Sequence, residues 1–457
     1  MTTLRRVELP AFGPGAPVDP PAIPEAEYSA RADALYGAAG VDWVAVYGDR
    51  EHNANLLHLS NFDPRFEEAL LLLGPQGRRV LIVGIEGLGH VVERRLESEV
   101  VLAQSFGLMG QPRTDAASLV AILRAAGMKS GDRVGVVGWK YRIPAETGRP
   151  LRPAFVAAGI VDDLEEVTGT APVDVTAVLM DPARGQRLVI SAAQAAQFAW
   201  AADRASQAVF RVMRGAEPGM SERQALGQMG FEGEVFSMHP IVASASRGTA
   251  INGLRSATGR VLHEGDGISC GIGYWGSLCC RAGMLQQEVD ASFMTDIVGP
   301  YYEAQAAWYE ALGIGVAGGD IFDTVHRTLE ATGTVVRPAL NPGHLISYDE
   351  WSNTPIRDGS RDVLVSGMMI QCDIIPTPLP AGMSLNCEDT VMIADEALRG
   401  QIAREYPWMW KRAEEQRAFM QRELGIVLAP EVLPLSCGNA YLPPFWMDDT
   451  LVCSRIA

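Results

Sequence analysis

Short apolar runs alternate with amphipathic stretches through the first third of the chain. Residues 28–39 and 117–132 have the apolar spacing that predicts helices, the second carrying a glycine near its end. Strands that alternate with helices favour a mostly parallel sheet covered on both faces. We therefore predict an α/β domain over residues 25–182, preceded by an extended arm, residues 1–24, rich in proline, glycine and alanine. The apolar runs that predict strands of this domain are 41–48, 68–74, 78–84 and 133–139.

The second part of the chain opens with a long helix predicted over residues 190–214, rich in alanine, glutamine and leucine. Ser221 is a suitable N-cap for the next helix, and Gln224 stands at the capping-box position. Beyond this helix the pattern changes to short strands separated by glycine-rich turns. Further elements are predicted as helices over 302–312 and 321–332 and strands over 367–376 and 388–395.

Composition and charge narrow the classes of function. The chain has 457 residues, of which 47% are apolar and 20% charged, as is typical of a globular protein with a buried core. Its 38 Lys and Arg against 55 Asp and Glu give a net charge of −17, and this spread of acidic groups disfavours binding of a phosphate backbone. No apolar stretch approaches the roughly 18–20 residues of a membrane span. We expect neither a nucleic-acid nor a membrane partner.

The N-terminal residues and the cysteines bear on location. Two arginines stand near the N-terminus, but no apolar segment of the kind found in signal peptides follows them. The seven cysteines form no short regular framework, which favours a reducing compartment over secretion. We therefore predict a cytoplasmic protein.

Three segments of the second part carry the polar residues that suggest chemistry. They are HEGDGISCGIGYWGSLCCRAG (263–283), NPGHLISYDEWSNTPIRDGSRDVLVSGMMIQCDIIP (341–376) and LNCEDTVMIAD (385–395). Their order and spacing resemble the creatinase/aminopeptidase P/methionine aminopeptidase family, which has the pita-bread fold. The resemblance implies an α+β protein in which a creatinase N-terminal-type domain precedes a pita-bread domain over 183–400. A C-terminal extension over 401–457, with a helix and an irregular tail, would follow.

Metal-dependent members of this family hold two divalent ions with two aspartates, one histidine and two glutamates. His344 matches the histidine, Asp373 stands in place of one glutamate, and Glu388 matches the other. Gly271 and Leu278 stand where the two aspartates would be, and neither can bridge two ions. The resemblance therefore implies no metal cofactor. One ion on the histidine and two carboxylates is the alternative, since three protein ligands and a water form a catalytic site.

Creatinase is the metal-free precedent in the family, and it grips its substrate carboxylate with two arginines. Arg65, supplied by the other protomer of a homodimer, and Arg357 occupy similar places here. A pair of planar guanidinium groups binds a carboxylate bidentately. Two positions differ, because Leu254 replaces the catalytic histidine of creatinase and Cys280 replaces a glutamate that holds the substrate guanidinium. The chemistry of creatinase cannot be carried over unchanged.

The resemblance favours a metal-independent hydrolase that cleaves a C–N bond in a small, nitrogen-containing substrate with a carboxylate. His344 would carry the proton, because imidazole suits acid–base work near neutral pH. Asp373 and Glu388 would orient the substrate and the attacking water. Glu350 and His239 are further polar candidates for the cavity.

Cysteines are frequent in the strands predicted to border this cavity. Buried cysteine ordinarily serves as a small apolar side chain. Cys280 is also a candidate substrate-binding residue, and its neighbour Arg281 makes it the best candidate for a reactive thiolate. The cysteines concerned are Cys270, Cys279, Cys280, Cys372 and Cys387.

Two other functions stay open. The first is a metal-dependent Xaa-Pro aminopeptidase or prolidase-like peptidase with a reduced metal site. The second is a catalytically inactive pita-bread protein that only binds its ligand.

Overall fold

The computed structural model describes residues 2–13, 15–114, 117–146, 152–153 and 155–456. One compact unit spans Ile23–Leu188, and a second unit combines the described residues on either side of it. The N-terminal arm therefore groups with the second unit, and it contains a strand, β1 (Thr3–Arg6). Among the described helices, none combines the length and the apolar character needed to cross a membrane.

The unit Ile23–Leu188 is built on a six-stranded sheet. Its strands are β2 (Trp43–Gly48), β3 (Ala69–Leu73), β4 (Arg79–Val83), β5 (Glu99–Leu102), β6 (Val134–Val137) and β7 (Val173–Asp174). Its helices are α1 (Glu25–Ala39), α2 (Ala54–Ser60), α3 (Ile85–His90), α4 (Leu119–Ala126), α5 (Ala158–Thr168) and α6 (Ala177–Met180).

The sheet of this unit is more mixed than predicted. Its strand order is β5-β4-β3-β2-β6-β7, and the pairs β2–β6, β4–β5 and β6–β7 are parallel. The pairs β2–β3 and β3–β4 are antiparallel. A turn over Pro75–Gly77 joins β3 to β4 directly, and so short a connection can join only antiparallel strands.

Apolar side chains cover both faces of this sheet. Val44 and Val46 pack into one core cluster, while Ala45, between them, packs into the other. Side chains alternate between the two faces of a strand, so a strand that is buried on both sides reads as a continuous apolar run. This explains why these strands could be recognised from sequence.

The second unit contains the remaining elements. Its helices are α7 (Ala192–Gly215), α8 (Glu222–Gly227), α9 (Ala291–Phe293), α10 (Gly299–Ala311), α11 (Gly318–Ala331), α12 (Glu396–Glu405) and α13 (Pro407–Phe419). Its further strands are β8 (Phe236–Ala245), β9 (Asp266–Tyr274), β10 (Ser277–Leu285), β11 (Arg337–Pro338), β12 (His344–Leu345), β13 (Met369–Cys372), β14 (Pro376–Thr377), β15 (Asn386–Ile393), β16 (Val432–Pro434) and β17 (Leu451–Ser454).

A seven-stranded antiparallel sheet organises the second unit. Its order is β12-β13-β15-β10-β9-β8, with β16 added beside β15. The long helix α7 packs on β9 and β10. The residues after 400 do not form a separate tail, because β16 joins this sheet and β17 pairs with β1 of the N-terminal arm. The helices predicted over 190–214, 302–312 and 321–332 match α7, α10 and α11 to within about three residues.

A buried carboxylate at the start of α8 accepts hydrogen bonds from residues outside the helix. Ser221 caps the helix in a capping box with Gln224, as the sequence predicts. Next to it, Glu222 accepts hydrogen bonds from the guanidinium of Arg255 and from backbone and hydroxyl groups of Ser244 and Thr258. Burial alone would raise the pKa of Glu222, but these hydrogen bonds outweigh it and lower the pKa from 4.5 to about 2.

Acidification is expected to remove the stabilisation that the hydrogen bonds to Glu222 provide. The unfolded carboxyl takes up its proton near pH 4.5, so the contribution of Glu222 is present above that pH and is lost as the pH falls towards about 2. Glu222→Gln should lower the free energy of unfolding at pH 7 by about 3 kcal/mol, since it leaves Arg255 without its buried partner. Urea unfolding at pH 7 and pH 3.5 measures both effects. Exposed Glu217 is the control, and Glu217→Gln should change stability by less than about 0.5 kcal/mol. Equal effects of the two substitutions would contradict this account.

Candidate active site

One cross-strand row of the seven-stranded sheet gathers the polar residues of the site. In the β10–β15 register Cys280 lies opposite Glu388, and in the β9–β10 register Cys280 lies opposite Gly271. Asp373 directly follows β13, and continuing the β13–β15 register places it beside Glu388. Directly opposite residues present their side chains on the same face of a sheet. The row therefore brings two carboxylates and a thiol to one face.

His344 reaches this row from the short strand β12. It is fully buried, and its Nε2 lies 3.7 Å from Oε1 of Glu388. Its Nδ1 lies 3.2 Å from the carbonyl oxygen of Leu345. A carbonyl oxygen can only accept, so Nδ1 carries the proton and the Nε2 lone pair faces the carboxylates.

The turn before His344 depends on glycine. Gly343 has a φ of +129°, and a Cβ there would lie 2.8 Å from the carbonyl oxygen of Gln371. An L side chain is therefore excluded by both the backbone conformation and the space. The sequence before His344 is Asn-Pro-Gly, which is typical of turns.

His344, Asp373 and Glu388 form one buried cluster. A ligand atom from each lies within 4.8 Å of the others. His344 Nε2, Asp373 Oδ1 and Glu388 Oε1 are all buried without a hydrogen-bond partner. Such atoms are costly to bury, and a cation between them would satisfy all three. The residues present therefore fit a single divalent metal ion.

The pKa values of Asp373 and Glu388 are both raised, as expected for buried carboxyl groups that lie beside other carboxyl groups. Burial, reinforced by the charge of Glu350, raises the pKa of Glu388 to about 8. Burial and the neighbouring Glu388 raise the pKa of Asp373 well above its usual range. A bound cation would reverse both shifts, because it favours the ionised carboxylates.

The loop after β12 adds two residues to the site. Glu350 is half-buried, and burial raises the pKa of its carboxyl although nearby His344 opposes the shift. Trp351 stacks on the imidazole of His344, with ring centroids 4.2 Å apart and ring planes 12° apart. The sequence predicts Glu350 but gives no sign of Trp351, because one indole in a polar loop forms no motif.

Cys280 does not have the surroundings of a reactive thiolate. The guanidinium of Arg281 is buried on the opposite side of β10, where Nη2 donates two 2.9 Å hydrogen bonds to the carboxylate of Asp389. Neighbouring residues of a strand face opposite sides, so Arg281 does not assist the thiol. Burial and the nearby charge of Glu388 raise the pKa of Cys280 well above its ordinary value. Arg281 therefore does not favour ionisation of the Cys280 thiol, and the reactive thiolate stays a prediction without support from its neighbours.

The family model described as "Metallopeptidase family M24" matches residues 196–395, which carry this cluster. The matched segment, less than half of the chain, is similar to the metallopeptidases of the pita-bread creatinase/aminopeptidase P family. The predicted resemblance to this family and the predicted fold class are thereby confirmed. None of the curated proteins matches this sequence.

Solved structures of the family share the fold. An Xaa-Pro dipeptidase from Bacillus anthracis is 16% identical with a TM-score of 0.61, covering 81% of this chain and 96% of its own. A prolidase from Pyrococcus horikoshii OT3 is 15% identical with a TM-score of 0.62, covering 80% of this chain and 95% of its own. Aminopeptidase PepP from Pseudomonas aeruginosa is 16% identical with a TM-score of 0.60, covering 94% of this chain and 97% of its own. Identities this low speak for the fold alone.

Two positions distinguish this pita-bread protein from the two-ion ligand set that the resemblance implies. Gly271 has no side chain, and Leu278 is a buried apolar residue. A Cβ on Gly271 would lie 2.5 Å from Sγ of Cys280, so the thiol takes the space of a side chain there. Neither position offers an oxygen ligand, and these residues do not fit a two-ion centre.

The remaining predicted substrate-binding residues lie outside the buried cluster. Arg357 is 43% exposed and pairs with Asp362, with Nη2 and Oδ2 2.8 Å apart. Arg65 belongs to the unit Ile23–Leu188, where it is exposed and lies 3.4 Å from Asp63. His239 on β8 is exposed. Their roles in substrate binding stay predictions.

Leu254 also lies at the surface, with 78% of its area exposed. It stands where creatinase would have its catalytic histidine. An exposed leucine supplies no proton-transfer group at this position.

Proposed function

We propose that this chain is a hydrolase that cleaves a C–N bond of a small peptide-like substrate with one divalent ion held by His344, Asp373 and Glu388. The observation that carries the proposal is the buried convergence of three unpartnered ligand atoms within 4.8 Å. Three protein ligands with an open position are the usual catalytic arrangement of zinc. The names of the similar structures, Xaa-Pro dipeptidase, prolidase and aminopeptidase, support a peptide-like substrate.

This proposal is the reduced-metal peptidase alternative of the sequence analysis. The family match favours it over the metal-independent, creatinase-like prediction, which has no support beyond the sequence resemblance. The homodimer and the cytoplasmic location stay predictions.

The protein groups around the cluster have distinct tasks. A divalent ion held by His344, Asp373 and Glu388 would supply Lewis-acid polarisation of a carbonyl and a lower pKa for water. The Nδ1–H of His344 donates to the carbonyl of Leu345, which orients Nε2 towards the carboxylates. Trp351 covers the imidazole face and holds the ring in place. Glu350, beside the cluster but not part of it, takes the proton from the attacking water and returns it to the leaving nitrogen.

Replacing Glu350 tests its proton-transfer role. Glu350→Gln should lower kcat by about 100-fold, within the range that a positioned acid–base group contributes. The metal content should stay unchanged, because Glu350 is not one of the three ligands. Steady-state kinetics and elemental analysis of the same preparations measure both quantities. Exposed Asp358 is the control, and Asp358→Asn should leave kcat unchanged. Unaltered kcat in Glu350→Gln would contradict the assigned role.

A substrate panel tests the proposed function itself. The full chain is assayed with Xaa-Pro dipeptides and with small N-acyl, ureido and amidino carboxylates, before and after chelation. We expect hydrolysis of a dipeptide that chelation abolishes and added Zn²⁺ restores. Turnover that survives chelation would contradict the metal-dependent proposal and favour the creatinase-like alternative. No turnover of any probe would favour a binding protein.

A further inference from the structure

We propose that the thiol of Cys280 is a fourth protein ligand of the ion at His344, Asp373 and Glu388. The site would then prefer a soft divalent ion such as Zn²⁺ to Mg²⁺ or Mn²⁺. This inference rests on the proposed function and specifies the metal that the site takes.

The strand register places the thiol next to the cluster. Cys280 lies directly opposite Glu388, and side chains so placed have Cβ atoms about 4.5–5.5 Å apart. The Cys280 thiol faces the same side of the sheet as the carboxylates of Glu388 and Asp373. Cys280 is also only partly buried, whereas the other four cysteines of the neighbouring strands are fully buried. Among these five thiols, Cys280 alone combines a place on the face of the sheet that carries the cluster with access from outside.

Gly271 provides the space that this thiol needs. It lies opposite Cys280 on β9, and a Cβ there would approach Sγ to 2.5 Å. Real side chains do not tolerate such a separation, so any larger residue at 271 must displace the thiol or the strand. Glycine at 271 therefore leaves the thiol of Cys280 the space that a side chain there would fill. Where the resemblance places an oxygen ligand at 271, this row carries the sulfur of Cys280 instead.

Binding of the ion to Cys280 would replace the S–H bond with a sulfur–metal bond. As the ion binds, the S–H proton of Cys280 passes to solvent and a sulfur–metal bond forms. Thiolate is a soft ligand that favours Zn²⁺ or Co²⁺, whereas Mg²⁺ and Mn²⁺ favour all-oxygen sites. Zinc sites also extend to five ligands, which leaves a position for water or substrate. Arg281 does not compete for the sulfur, because its guanidinium is held by Asp389 on the opposite side of the strand.

Cobalt reports directly on a sulfur ligand. The metal-free full-length protein is titrated with Co²⁺, and the near-ultraviolet band of sulfur-to-cobalt charge transfer is recorded. We expect one equivalent of Co²⁺ and a strong band in the wild type. Cys280→Ser should lose the band and bind Co²⁺ about 100-fold more weakly, the upper end of losses seen even for indirect partners of a metal. Gly271→Ala should weaken the band by displacing the thiol.

A second cysteine supplies the matched control. Cys437 is partly buried like Cys280 but follows β16 and lies on none of the strands of the row, so Cys437→Ser should keep both the stoichiometry and the band. Circular dichroism confirms that each variant is folded. Stoichiometric Co²⁺ binding without the band, or a band that persists in Cys280→Ser, would overturn this inference and leave the proposed function standing. Failure of the wild type to bind Co²⁺ would overturn both.

Discussion

Glu388→Gln is expected to remove the bound ion and to lower kcat/KM for a hydrolysed dipeptide by about 1,000-fold or more. Glu388 is the centre of the site, since it faces His344, lies beside Asp373 and pairs in register with Cys280. An amide in its place keeps the size of the side chain but removes the charge that the ion needs. Losing a preorganised electrostatic contact in a dry site costs up to about 1,000-fold, and here the ion is lost as well.

Elemental analysis and steady-state kinetics of the same preparation measure both losses. The control is Glu396→Gln on the exposed start of α12, which should change neither metal content nor kcat/KM. Full metal occupancy in Glu388→Gln would contradict the assigned ligand set. Loss of activity with the ion retained would assign Glu388 a role in proton transfer instead.

Asp389→Asn should lower the free energy of unfolding by about 3–5 kcal/mol, because it leaves the fully buried Arg281 without its counter-charge. Arg281 also donates to the carbonyl oxygens of Glu388, Gly438 and Tyr441. The pair thus joins β10 to β15 and to the C-terminal segment. It supports the site from the face opposite the ligands.

Urea unfolding measured by circular dichroism provides the comparison. The control is Asp362→Asn, which breaks the ion pair with Arg357, whose side chain is 43% exposed. This substitution should lower the free energy of unfolding by less than about 1 kcal/mol. Equal losses in the two variants would contradict a structural role for the buried pair.

Cys280 is expected to become more reactive towards thiol reagents in Asp389→Asn, since the strand pairing beside it is weakened.

Local signals in the sequence account for much of the fold. The Ser221 capping box, the glycine turn before His344 and the apolar runs of the first sheet are properties of neighbouring residues, and the structure contains all of them. The relation of β1 to β17 is different, because the two strands are separated by nearly the whole chain. Apolar alternation shows that a strand exists but does not name its partner. Sequence patterns among neighbouring residues therefore do not predict that both ends of the chain join one unit.

The residues of the candidate site also differ in whether the sequence predicts them. His344, Asp373 and Glu388 could be predicted together because the family resemblance aligns the two segments that carry them, 341–376 and 385–395. The orientation of Arg281 depends on the partner that its strand meets across the sheet, which adjacency to Cys280 does not reveal. Trp351 acts by stacking on a ring, and this contact depends on the path of a loop. Contacts between segments decide these roles, and no single segment encodes them.

The most direct test of a metal-dependent site is a crystal structure of the full chain, purified without chelator and supplied with Zn²⁺, measured on both sides of the zinc absorption edge. We predict one anomalous peak between Nε2 of His344 and the carboxylates of Asp373 and Glu388. The absence of a peak among these three residues, in a protein that still hydrolyses its substrate, would contradict the central claim.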